Sequence, residues 1–214
     1  MTEAEQLIKR LIQEVGEPLH SDLLPYLETD GALGAQIRHP LVYQVPLFSN
    51  GSANAYYLQK KKDLETALAE KNYSRVVFLH ERPYRLHAFM QIEKHLDDAK
   101  YWSLLSSIWT DTENAWQNVY EWKKLFSSSR PKREYLMDWD EQLALQSLAD
   151  TVTVYRGCHK GINEDGISWT LKRDKAEWFA TRFNKDGVVL EKEIAKRDII
   201  AVFTNRNEFE VVVL

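Results

Sequence analysis

Apolar residues recur along this chain with two different periods, and the change between them falls near Thr151. In residues 2–15, Leu7, Ile8, Leu11, Ile12 and Val15 share one helical stripe with charges opposite, which predicts an amphipathic helix. Residues 29–52 are broken by Gly31, Gly34, Pro40, Pro46 and Gly51 and read as loop, with a short strand around 41–45. Helical spacing returns over 53–70, and the β-rich run 75–80 predicts a strand. From 84 to 126 the pattern is helical and aromatic. There Trp102, Trp109, Trp116 and Trp122 fall near multiples of the helical period, as in a helical core. Residues 127–133, Ser-Ser-Ser-Arg-Pro-Lys-Arg, read as a flexible basic loop, and 138–149 as one more amphipathic helix.

Beyond Thr151 the segments 152–155, 188–194, 199–203 and 209–214 are β-rich, and a helical stretch at 172–183 interrupts them. The chain therefore reads as α+β: a mainly helical region, 1–150, followed by an antiparallel β core, 151–214. The two are either separate or one continuous domain. No internal repeat is present.

Composition narrows the classes. With 214 residues, 44% hydrophobic and 28% charged, the chain is an ordinary globular one with room for a sizeable core. The net charge is −4, and residues 151–214 carry 11 basic against 10 acidic side chains. That balance argues against a dedicated nucleic-acid binder and leaves room only for a local basic groove. Cys158 is the single cysteine, so neither an intrachain disulfide nor a cysteine zinc site can form. The acidic first residues and apolar runs of five or fewer predict no signal peptide and no membrane span, hence a cytoplasmic protein.

Three short elements in the β-rich part carry candidate chemistry. Arg156-Gly157 closes the first β-rich run; arginine offers a fork of donors suited to phosphate, and glycine lets a ligand approach the backbone. Alone, this is an ordinary strand-end salt bridge. Ser168-Trp169-Thr170 precedes the helix 172–183 and alone reads as an N-cap. Glu208-Phe209-Glu210 opens the last β-rich run, where strand alternation would place both carboxylates on one face. Alone, such a pair is a solvated edge.

In this order the three elements resemble the arginine–serine–glutamate class of mono-ADP-ribosyltransferases, over about residues 152–214. The resemblance implies an ADP-ribosyltransferase-like β core that binds NAD as substrate and needs no metal. It implies that Arg156 holds the NAD phosphate and braces the site, and that Gly157 offers backbone groups to the nicotinamide amide. Ser168 would line the nicotinamide pocket and orient Glu210, with Thr170 supporting the same strand. Glu210 would be catalytic, and Glu208 marks members that modify arginine. Trp169, with Trp178, Phe179 and Phe183 on the helix, would supply stacking for the bases. The departures are Trp169, where many members carry a small hydroxyl residue, and only 11 residues between Arg156 and Ser168.

The expected activity is transfer of ADP-ribose, a glycosyl transfer, from NAD to an arginine of a protein target. Such enzymes occur among bacteriophage and bacterial conflict proteins, which act in the cytoplasm of the producing or host cell. The helical region would aid target recognition. An NAD glycohydrolase on the same fold, or a non-catalytic binding or inhibitory module, are the alternatives. His80, His87 and His95 lack metal-ligand spacing, Cys158 lacks a sequence-adjacent base, and Lys60-Lys61-Lys62 reads as a solvated helix face.

Overall fold

The computed structural model describes residues 17–113, 115–182, 186–204 and 208–214. The amphipathic stripe of residues 2–15, Asn114, Phe183 and Asn207 lie outside them. Among the described residues the chain is α+β, with seven α-helices and two antiparallel sheets. It divides into two compact units, 1–95 and 96–214. The change of pattern at Thr151 thus marks a change of secondary structure, and the division between units lies earlier.

In the first unit, β1 (Leu27–Glu28), β2 (Gln36–His39) and β3 (Val42–Gln44) form an antiparallel meander. Helices α1 (Asn50–Ala69), α2 (Tyr73–Leu79) and α3 (Arg85–Ile92) follow. Leu23, Ile37, Val42, Ala53 and Tyr57 share its core. Residues 75–80 fall largely in helix α2 rather than the strand their β-branched residues predict. Asn72 caps the helix by accepting from the Arg75 amide at 3.1 Å, and Val76 and Val77 are both buried. Two adjacent buried positions suit a short helix enclosed by packing, and packing overrides the weak β preference. Lys60 and Lys61 are likewise not merely solvated. Lys60 Nζ donates to the Leu79 carbonyl at 2.9 Å and pairs with Glu81 at 2.8 Å, while Lys61 Nζ meets Asp22 at 3.0 Å.

The second unit begins with α4 (Asp98–Asp111), capped by Asp97, which accepts from the Lys100 amide at 2.9 Å. With α5 (Val119–Phe126) it buries Tyr101, Trp102, Leu105, Ile108, Trp109, Trp122 and Phe126. The basic loop at 127–132 is fastened rather than loose. Arg130 Nη1 donates to the Leu96 carbonyl at 3.0 Å, and Trp102 Nε1 donates to the Pro131 carbonyl at 2.8 Å. Helix α6 (Trp139–Ser147) opens on a capping box between Asp138 and Glu141. The buried Glu141 carboxylate also accepts from the Thr204 amide at 3.2 Å, and burial pushes its pKa up.

Five strands then form one antiparallel sheet in the order β6-β4-β5-β8-β7. They are β4 (Thr151–His159), β5 (Ser168–Thr170), β6 (Gly187–Ala195), β7 (Ile199–Phe203) and β8 (Glu210–Val213). One face buries Val154, Trp169, Val202, Val211 and Val213 beneath Met137, Leu145 and Leu148 from α6 and its flanks. Helix α7 (Arg173–Thr181) packs against β4 and β6 through Ala176 and Ala180. A Cβ at Gly157 would run into the Ala176 carbonyl, and one at Gly187 into the Ala180 carbonyl. Both glycines exist to let the helix backbone approach the sheet.

Candidate active site

Ladder register decides which side chains meet. Tyr155 pairs with Thr170, and Thr170 and Ser168 pair with Glu210 and Val212. Directly opposed residues share a face, so Tyr155, Ser168, Thr170 and Glu210 project from the same side of the sheet, with Gly157 two residues beyond Tyr155. On that side Ser168 Oγ donates to Glu210 Oε1 at 2.5 Å. Trp109 Nε1, from the last turn of α4, donates to the same oxygen at 3.2 Å.

Arg156 lies within β4, not at its end. Strands β4 and β5 share the single ladder pair Tyr155–Thr170. The Arg156 guanidinium bridges the split beyond it: Nη1 donates to the Ser168 carbonyl, and Nε and Nη2 donate to the Asn163 carbonyl at 3.2 and 2.8 Å. A fork of donors thus stands in for missing backbone pairs and ties the 160–167 loop to the sheet. Burial pulls the guanidinium pKa below its ordinary range, and Cys158, Asp165 and, least, Glu210 oppose that pull. Gly166 is also explained here, because a Cβ there would overlap the Arg156 side chain.

Ser168-Trp169-Thr170 is a strand, and Ser168 is not a cap. The residue before α7 is Lys172, which makes no side-chain cap; its amide donates to Thr170 Oγ1 at 3.1 Å. Thr170 in turn donates to the Glu208 carbonyl at 2.6 Å and so fixes the turn that leads into β8. Strand β8 starts at Glu210, one residue later than the pattern predicts, because Phe209 adopts a left-handed φ of 48°. Such a conformation in an aromatic residue costs on the order of 1–3 kcal/mol and persists only where its surroundings hold it. Lys172 Nζ lies 3.7 Å from the Phe209 ring centroid, and the Leu171 amide donates to the Phe209 carbonyl at 3.1 Å. Strand alternation therefore does not relate Glu208 to Glu210, yet both residues line one cavity.

That cavity, of about 490 Å³, is lined by Arg156, Gly157, Ser168, Trp169, Thr170, Glu208 and Glu210. The sequence-derived site residues thus come together, apart from Phe183, which lies outside the described residues, and Trp178. Phe179 lines it too, but Trp178 is not among the lining residues and is 54% exposed. Among the lining residues that sequence reasoning misses are Trp109, Trp116, His159 and Arg182. The aromatic helical pattern marks Trp109 and Trp116 only as core, and nothing in local spacing points from Trp109 to a glutamate 101 positions away. Arg182 stacks over Trp178 and Phe179 at 5.4 and 5.0 Å.

Cys158 also borders the cavity, but burial pushes its thiol pKa up, away from a reactive thiolate. The three histidines weighed above as metal ligands have structural partners: His80 with the Val76 carbonyl, His87 with Gln91, and His95 stacked on Tyr73. Among the described residues no group of three or more His, Cys, Asp or Glu side chains could hold a metal ion. No helix among them is long and apolar enough to cross a membrane. Comparison with family models, with curated proteins and with solved structures finds no match to this chain.

Proposed function

We propose that this protein is an NAD-dependent mono-ADP-ribosyltransferase, with Glu210 as its catalytic residue. The observation that carries the reading is the hydrogen bond of 2.5 Å from Ser168 to Glu210, inside a cavity that Arg156 braces and Glu208 also lines. Three residue types singled out from sequence order alone meet at one place. The cavity falls within the usual range for small-molecule sites, about 300–1,000 Å³, and its walls combine aromatic residues with many polar and charged ones. It fits a dinucleotide in kind: Trp116 and Phe179 offer faces for bases, and Arg182 offers a cation for phosphate. Arg156, with three donors committed to backbone carbonyls, is a brace first and can contribute to phosphate through its remaining N–H groups.

NAD brings a ribose joined to a cationic nicotinamide leaving group. Heterolysis of that bond sends its electron pair to nicotinamide, which leaves neutral, and positive charge develops on the sugar, as in glycoside hydrolysis. Glu210, held by its donors before the reaction, stabilises that charge without reorganisation. Glu208 accepts the proton of the incoming nucleophile, which an arginine of a protein target would supply. The enzyme would act in the cytoplasm of the cell that makes it or of a phage host, with no metal.

Incubation with labelled NAD and a cell lysate tests this. Glu210→Gln is expected to lower both nicotinamide release and protein labelling by about a hundredfold to a thousandfold, with the melting curve retained. Glu208→Gln is expected to lose labelling yet keep NAD hydrolysis. Release of free ADP-ribose with no labelled protein would make the protein a glycohydrolase, and the absence of any NAD cleavage or binding would make it a non-catalytic module.

A further inference from the structure

Glu210 Oε1 accepts two hydrogen bonds that differ in kind. Ser168 supplies a hydroxyl, which rotates and can donate or accept. Trp109 supplies an indole N–H, a donor only, on a ring that cannot turn away. The ring is 4% exposed and wedged edge-on between two aromatics of α5. Its centroid lies 4.9 Å from that of Trp122 at an interplanar angle of 80°, and 5.1 Å from that of Phe126 at 89°. Edge-to-face packing of this sort fixes ring orientation. A donor held so rigidly against a carboxylate determines where the carboxylate points.

We infer that Trp109 is a positioning residue for Glu210, supplied by the helical segment rather than by the β-rich segment that carries the rest of the site. The contact itself stands on geometry alone. Its kinetic consequence rests on the proposed ADP-ribosyl transfer.

Trp109→Phe keeps an apolar ring in the cluster and removes the N–H. Trp122→Phe is the control: Trp122 is fully buried beside Trp109, and its Nε1 has no hydrogen-bond partner among the described residues. That change keeps an aromatic ring against Trp109 and does not touch Glu210. Both variants are expected to melt somewhat lower. Trp109→Phe alone is expected to lower kcat for nicotinamide release, by about tenfold to a hundredfold, as loss of a hydrogen bond to a charged group implies. Its KM for NAD should stay near the wild-type value, because the lost contact is to Glu210 and not to substrate. Equal kcat in the two variants would overturn the inference.

A second measurement needs no activity. In proton–nitrogen spectra of the full chain, the assigned Trp109 indole resonance is expected to move in Glu210→Gln while the Trp122 indole stays in place. An unmoved Trp109 signal would overturn the inference even if Trp109→Phe fails to fold. A moved signal in a protein that never cleaves NAD would sustain the pairing and remove the transferase reading instead.

Discussion

Arg156 acts on the main chain. Its three donors go to the carbonyls of Asn163 and Ser168, so its loss would loosen the 160–167 loop and the strand that carries Ser168. Lysine cannot reproduce a planar fork that spans two carbonyls. Arg156→Lys is therefore expected to lower stability by about 1.5–3 kcal/mol, the usual cost of losing hydrogen bonds to a charged group. Thermal melts in the absence of NAD would show it, and an unchanged melting curve would return Arg156 to a purely ligand-facing role. The sequence makes this residue visible through its place in a β-rich run, but not its job. A guanidinium that substitutes for ladder hydrogen bonds leaves no local signature, because its acceptors are backbone groups of any residue type. Glu208 shows the opposite limit. Its nearness to Glu210 is legible, but alternation supplies the wrong reason, because nothing in the letters marks Phe209 as left-handed.

At the scale of elements, the strands are the most legible part, and the β-rich run 199–203 coincides with β7 at both ends. The apolar positions that face α6 are packed away from solvent, so the strand pattern survives in sequence. The helix at 73–79 escapes sequence reasoning because seven residues are too few to display a helical period, and its valines favour the other assignment. Gly157 reads in sequence as room for a ligand, whereas in the fold it is first of all room for α7. Gly157→Ala would drive a methyl group into the Ala176 carbonyl and the Ala180 amide nitrogen, neither of which can swing aside. Overpacking of this kind costs about 1–3 kcal/mol. The expected outcome is a lower denaturation midpoint, together with a weaker site, since Phe179 on the same helix lines the cavity. Gly161, at φ 74° with open space where a methyl group would sit, would feel only backbone strain.

At the scale of the whole molecule, the change of pattern at Thr151 and the boundary between compact units do not coincide. The sheet core is closed by Met137, Ala144, Leu145 and Leu148, all of which precede Thr151. Lys196 Nζ also donates to the carbonyls of Gln146 and Leu148 at 2.9 and 2.8 Å. A fragment of residues 151–214 is therefore expected to expose an apolar sheet face and to aggregate, while 96–214 is expected to fold. Circular dichroism and sedimentation of the two fragments would decide, and a monomeric, cooperatively melting 151–214 would refute the expectation. Sequence periodicity reports the type of each element, not which elements share a core, so a boundary drawn from it falls where the period changes. Three of the seven tryptophans, Trp109, Trp116 and Trp169, stand in the walls of the cavity. The protein thus carries its own optical probe. A molecule entering the cavity alters the surroundings of the Trp109 and Trp116 indoles, so its arrival can be followed through intrinsic emission, with no label attached.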